Sequence, residues 1–175
     1  NPSGTLPMTM PRATGQVPIY YDRLPTGRPR VKNFRYETGY LDESMAPLFP
    51  FGFGLSFSRF TFDQLTLSSP TVPRSGTVAG SVRLTNAAGP AGQEVVQIYV
   101  RQRVGQRSRP VRQLKHFEKV AVAAGASQTV TFRIPVQALG YHDDAGRYVV
   151  EPGEYDIFVG GDSNATLAAR VTVTD

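Results

Sequence analysis

The sequence predicts an all-β protein, an antiparallel sandwich preceded by a long extended arm. Three observations carry that expectation. Gly (17) and Pro (14) together take 31 of 175 positions, too many for a helical bundle and too few for a low-complexity disordered chain. From residue 60 onward, apolar residues recur at alternate positions in short runs separated by Gly, Pro and Asn, the period of half-buried strands. Before residue 60 that periodicity disappears, and 8 of the 14 prolines fall there. The length suits one domain with an appendage, so the chain divides into an arm, 1–59, and a sandwich, 60–175.

The strands follow in order. Phe60, Phe62, Leu65 and Leu67 mark the first. Val78, Gly80, Val82 and Leu84 share one face of the second, with Ala79, Ser81 and Arg83 on the other, and Asn86-Ala87-Ala88-Gly89-Pro90 supplies turn chemistry. In the third, Val96, Ile98 and Val100 face one way and Gln97, Tyr99 and Arg101 the other. Residues 114–122 form the next, and Ala124-Gly125-Ala126 turns the chain into a strand carried by Val130, Phe132 and Ile134. A short helical turn is expected at 136–139. Strands at 148–150, 155–159 and 167–173 close the set, separated by Glu151-Pro152-Gly153 and Gly160-Gly161. Seven or eight short strands with this spacing, without the Cys…Trp…Cys set of antibody domains, fit a fibronectin type III-like, immunoglobulin-like sandwich. Within the arm, residues 5–10 and 17–21 are short strand candidates. The remainder reads as coil whose aromatics need a surface to lie on.

Several functions are excluded. There is no Cys, hence no disulfide, no Cys-ligated zinc and no thiol nucleophile. No apolar run reaches the ~20 residues of a membrane span. The formal charge of +5 divides into +3 for 1–59, +6 for 60–123 and −4 for 124–175. Its basic peak, Arg101, Arg103, Arg107, Arg109 and Arg112, lies in a polar loop rather than on a reading helix. It is therefore read as a solvated loop with arginines pinned by carbonyls or acids, and no nucleic-acid partner is expected. The start, Asn1-Pro2-Ser3-Gly4, has neither Met nor a leader pattern and reads as part of something longer.

Four stretches in order carry a resemblance covering nearly the whole chain: NPSGTLPMTMPR (1–12), GQVPIYYDRLPTGRP (15–29), PLFPFGFGLSFSRF (47–60), and SRPVRQLKHFEKV (108–120) with GEYDIFVGGDS (153–163). They are similar to the carboxy-terminal part of family 3 glycoside hydrolases, the β-glucosidase type that ends in a fibronectin type III-like domain. Phe57 stands where Tyr is usual, and Gly39-Tyr40-Leu41-Asp42 replaces a motif that often begins with Arg. The resemblance implies a parent that hydrolyses terminal β-linked glucose or related sugars with retention. Its nucleophile and acid/base would lie in the preceding domains. The segment itself would be structural, with those catalytic domains as its partners, a β-glucoside or oligosaccharide as the parent's substrate, and a homodimer as a further partnership. A periplasmic or secreted bacterial setting is expected over a cytoplasmic one.

Residue by residue, the chemistry points the same way. A retaining glycosidase needs two carboxyls about 5–5.5 Å apart, whereas Asp42-Glu43 and Asp143-Asp144 are sequence neighbours in turns and are read as solvated. His116 and His142 lack a third ligand, so no metal and no cofactor are expected. No catalytic residue is assigned. Tyr36, Tyr40 and Asp42 are candidates for the rim of a sugar site. Tyr20, Tyr21, Phe49, Phe51, Phe53 and Arg109 are candidates for interdomain packing. The alternative is a stand-alone carbohydrate- or surface-binding module, which requires an exposed planar set of aromatics on the sandwich.

Overall fold

The structure is a computed structural model that describes residues 1–27, 39–40 and 42–175. Ten strands form: β1 (Arg59–Leu67), β2 (Thr71–Pro73), β3 (Thr77–Ala88), β4 (Gly92–Gln102), β5 (Gln113–Val122), β6 (Ser127–Pro135), β7 (Tyr141–His142), β8 (Tyr148–Val149), β9 (Gly153–Gly160) and β10 (Leu167–Thr174). One sheet has the order β1-β3-β6, the second β2-β10-β9-β4-β5, and β7-β8 is a separate hairpin. Every pairing is antiparallel except that of β2 with β10. This is the expected sandwich. A one-turn 3₁₀ helix at Val136–Leu139 stands where a helical turn was expected. Beyond the predicted strands lie β2, three residues ending in Pro73 at a sheet edge, and the two-residue β7. Both are too short to show a period.

Alternation decides the core. On β3 the inner positions Val78, Gly80, Val82 and Leu84 are buried while the residues between them are only half-covered. Val130, Phe132 and Ile134 of β6 repeat the pattern, and Val96, Ile98, Tyr155, Ile157, Val171 and Val173 face them from the other sheet. Phe60, Phe62, Leu65 and Leu67 of β1 pack along one side. Each fully buried Val, Ile or Leu contributes roughly 1.5–3 kcal/mol relative to exposure. A bulge interrupts β1 between Asp63 and Thr66, where Gln64 takes φ 51°, and it lets Leu65 and Leu67 rejoin the core side.

The arm departs from expectation. Residues 5–10 are not a strand; they make only isolated bridges, Thr5 to Gly54 and Met10 to Phe49. Pro7 has no N–H to extend the ladder. Residues 17–21 are not a strand either. A 3₁₀ turn at Thr14–Gln16 precedes them, and Pro18, again without a donor, follows a cis Val17–Pro18 bond. The arm also finds its support within this chain. Residues 1–10 and 47–58 run beside each other, through Leu6 N to Phe53 O at 2.8 Å and Met10 N to Phe49 O at 2.9 Å. They lie over the outer face of β4. Asn1 clamps the start: its Nδ2 donates to Ser58 Oγ at 2.7 Å, and its Oδ1 accepts from Ser56 Oγ and Phe57 N, each at 2.9 Å.

Gly80 shows how closely the three-stranded sheet is packed. A Cβ there would stand 2.6 Å from the Thr66 carbonyl oxygen and 2.7 Å from Phe132 Cζ. The first of these is backbone and cannot turn aside. Gly80→Ala is expected to lower stability by about 1–3 kcal/mol, read as a lower urea midpoint at unchanged slope. An unchanged midpoint would mean that β1 shifts freely against β3.

Candidate functional site

The outer face of β4 carries Gln97 and Tyr99, and both are closed off from solvent, at 2 % and 0 % exposed. The arm covers them. Gln97 Nε2 donates to the carbonyls of Gly52, at 3.1 Å, and of Gly161, while its Oε1 accepts the Tyr99 hydroxyl at 2.5 Å. One side-chain amide thereby ties the arm, the β9–β10 turn and the sheet. Gly52 is required for this approach: its φ is +82°, and a Cβ would lie 2.1 Å from Gln97 Oε1. Above Tyr99, Tyr21 approaches edge-on at 5.9 Å and stacks on Phe51 at 4.3 Å. The Tyr21 hydroxyl accepts from Leu114 N at 3.3 Å, and Phe51 O accepts from Ser163 N at 2.9 Å. Burial raises the pKa of both Tyr21 and Tyr99, so both phenols stay neutral, Tyr99 as a donor to Gln97 and Tyr21 as an acceptor from Leu114 N.

The other packing candidates are distributed unevenly. Phe49 and Phe53 stack on each other at 4.8 Å, with Phe49 still 38 % exposed. Tyr20 is 63 % exposed, whereas its neighbour Tyr21 is half-buried. Arg109 turns inward onto the sandwich, with its guanidinium 4.3 Å above the Tyr141 ring and Nη2 donating to Leu139 O at 3.4 Å. Of the rim candidates, Tyr36 lies outside the described residues. Tyr40 donates through its hydroxyl to Gly15 O at 3.2 Å, and Asp42 is exposed.

The basic loop is pinned, as its composition suggested. Arg103 reaches Glu154 at 3.5 Å and Asp156 at 3.4 Å, and Arg107 pairs with Asp144. Arg112 lies over Phe158 and caps the Ser163 and Ala165 carbonyls. Glu151 holds the loop from beneath, accepting from Gln102 Nε2 at 2.6 Å and Gln106 N at 3.1 Å. Asp143 pairs with Arg147 at 2.7 Å, so each member of the Asp143-Asp144 pair is taken by a different arginine. His142 meets the Tyr148 ring edge-on at 5.1 Å, and among the described residues no cluster of three metal-ligating side chains occurs.

Sequence reasoning did not single out Gln97, Asn1 or Glu94. Each is a polar residue whose partner lies far along the chain, and local pattern carries no signal for that. Glu94 is half-buried on β4 against Gly161 and Phe62. Burial, with the nearby Asp162 charge adding to it, pushes its carboxyl up from an ordinary 4.5 to about 7, against a hydrogen bond from Val95 N.

Two outcomes follow from this geometry. Gly52→Ala is expected to displace the arm from Gln97, exposing Tyr21 and Tyr99 to quenchers of tyrosine fluorescence and speeding proteolysis within 1–58. Retention of native quenching would show that the amide tie is dispensable. For Glu94, the folded state holds the extra proton between about pH 4.5 and 7, so the unfolded state binds fewer protons there. Stability therefore falls as pH rises through that window and levels off above it. Glu94→Gln is expected to flatten this part of the stability–pH profile in urea titrations, and an unchanged slope would assign the effect elsewhere.

Comparison with known proteins agrees with this architecture. Residues 94–163 match the fibronectin type III-like domain family. The chain is 46 % identical over 165 residues to a periplasmic beta-glucosidase of Salmonella typhimurium, covering 93 % of this chain and 22 % of that protein. It is 35 % identical to a beta-xylosidase of Formosa agariphila, over 99 % of this chain and 23 % of the relative. A crystal structure of the Listeria innocua beta-glucosidase in complex with glucose superposes with a TM-score of 0.93 at 38 % identity, over 99 % of this chain and 24 % of that one. The chain thus spans under a quarter of the length of these relatives. With the sandwich, the covering arm and these likenesses together, the chain belongs to the carboxy-terminal, fibronectin type III-like segment of the β-glucosidase-type family 3 glycoside hydrolases.

Proposed function

We propose that this chain is the accessory part of a retaining, exo-acting β-glycosidase, steadying and orienting catalytic domains that hydrolyse terminal β-linked glucose or related sugars. One observation supports this most directly. Of 13 exposed large hydrophobic side chains among the described residues, 8 lie between Met8 and Phe49: Met8, Met10, Val17, Tyr20, Leu24, Tyr40, Leu48 and Phe49. The arm thus has two faces. Tyr21 and Phe51 press on the sandwich, while an apolar band looks outward from residues whose inner neighbours are already packed. Concentrations of exposed apolar surface of this kind mark interaction sites. The relatives are more than four times as long as this chain, which supplies an occupant: the remaining domains of the same enzyme.

The chemistry is consistent with a supporting part. Two carboxyls facing one sugar across about 5–5.5 Å are required for retention, yet Asp143 and Asp144 are each committed to an arginine. The division of the chain at residue 59, and the packing parts of Phe49 and Phe53, belong to this proposal. So do Tyr40 and Asp42 as rim residues. Tyr20, the remaining packing candidate of the arm, stands at the margin of the band and borders the groove that holds Arg23. Relatives are named for β-glucose and β-xylose alike, and on this reading the sugar is selected outside the segment. A periplasmic or secreted setting follows the Salmonella relative's name. A stand-alone carbohydrate-binding module has less support, because the exposed rings beyond the arm, Phe117 on β5 and Tyr148 on β8, belong to separate sheets.

The experiment pairs the chain with its full-length enzyme. Met8→Ser with Leu48→Ser is expected to leave the melting temperature of the 175-residue chain unchanged, since both side chains are exposed in it. In the full-length protein the pair is expected to cost roughly 1.5–3 kcal/mol per buried side chain and to lower kcat/KM. Tyr40→Phe and Asp42→Asn are expected to change KM alone if they reach the sugar. Equal melting and equal kinetics for every variant in the full-length enzyme would remove the proposal.

A further inference from the structure

We infer that the outer face of the sandwich carries a second carbohydrate site, one that takes a carboxylated sugar, in a basic trough between the arm and the loop that follows β4. The trough consists of two adjoining grooves of about 370 and 400 Å³ that share Arg101 and Val111. Arg23, Arg101 and Arg112 line the first and Arg103, Arg107 and Arg109 the second, and among the described residues no carboxylate lines either. This assignment is independent of the enzyme to which the chain is attached.

The six arginines differ in what they have left to offer. Four are held by the protein: Arg103 and Arg107 by acids, Arg109 by Tyr141 and Leu139 O, and Arg112 by Phe158 and two carbonyls. Their charges are fixed in position without being available for bidentate binding. Arg23 and Arg101 form no ion pair among the described residues. Arg101 sits opposite Asp156 in the β4–β9 register, but Asp156 is already taken by Arg103 and Arg170. An Arg fork freed in this way matches a carboxylate in two parallel hydrogen bonds. Arg109 and Arg112, held by rings and carbonyls rather than by acids, keep their charge and steer an anion toward it.

The first groove adds the features of a sugar site. Tyr20, 63 % exposed, offers an apolar ring face suited to the C–H face of a pyranose. Asn164, exposed on the same groove, offers an amide for sugar hydroxyls. Tyr20 stands where this groove meets the apolar band of the arm. A free inorganic anion would use the guanidinium groups but not the ring, and a neutral glucan would use the ring but leave Arg23 and Arg101 unpaired. A uronate unit uses both.

The test is calorimetric titration of the 175-residue chain with trigalacturonate, with cellotriose and sodium sulfate as parallel probes. Saturable binding of trigalacturonate is expected, weakened at least tenfold in Arg101→Glu and several-fold in Tyr20→Ala. Lys119→Glu, the same charge change at an exposed position on β5, is expected to leave affinity within twofold. The assignment is overturned by any of four results: no saturable binding, equal affinity for cellotriose, sulfate competing at the same concentration as the uronate, or equal weakening by the Lys119 change. Melting curves of each variant identify any that fails to fold. Arg101→Gln, which keeps a polar stem without reversing charge, then serves in its place and is expected to weaken binding several-fold.

Discussion

The carboxamide of Gln97 is the joint on which the layers of this molecule depend. A buried amide is costly unless both of its N–H groups and its oxygen are satisfied. Here the donors go to Gly52 and Gly161 and the acceptor to Tyr99. None of these partners is near Gln97 in both sequence and strand pairing except Tyr99. The bond set therefore exists only when the arm, the β9–β10 turn and the sheet are all in place. With it, the five-stranded sheet is covered within by the β1-β3-β6 sheet and, around Gln97 and Tyr99 of β4, without by the arm. Leaving any one partner out would strand a polar group in a dry site, which makes the arrangement cooperative rather than merely additive.

What could be read in the sequence follows the range of each interaction. Strand alternation is local, with period two, so Val78, Val82, Leu84, Phe132 and Ile134 declared their inward face directly. The outward direction of Gln97 and Tyr99 was equally legible. Their burial was not, because it depends on Gly52 and Tyr21, which lie 45 and 78 positions earlier. The same distance explains the misread arm. A stretch such as 5–10 has strand composition, but its neighbour is 47–54, and Pro7 leaves only bridges where a ladder was expected. The loop of arginines was legible in kind, as pinned cations. The identity of each clasp, Asp144 for Arg107 or Tyr141 for Arg109, required the fold.

Charge is sorted by the same architecture. The acidic last third of the chain is not a separate surface. Glu151, Glu154 and Asp156 stand beneath or beside the basic loop and hold it, and Asp144 reaches it from the β7–β8 turn. A net +5 that looks diffuse in composition is, in the fold, a set of neutralised pairs with a few cations left over. Arg23 and Arg101, two of the cations left without an acid among the described residues, carry more meaning than the total because they line one groove.

The arm combines two requirements that rarely meet in one segment. Prolines restrict its unfolded freedom, lowering the entropy lost when it lies down, while an extended backbone sends successive side chains to opposite sides. Tyr20 and Tyr21 divide two tasks at adjacent positions, one largely exposed and one stacked on Phe51 and edge-on to Tyr99. A helix placed there would need a stripe three or four residues apart to face two layers, and a regular strand would present an unpaired edge to solvent. A proline-interrupted extended chain avoids both, binding the sheet through a few bridges and one amide while keeping an apolar face free. Such a layer can hold one body by its inner residues and present a surface to another by its outer ones. The inner hold is made chiefly at Gly52, where the backbone carbonyl of the arm meets the Gln97 amide.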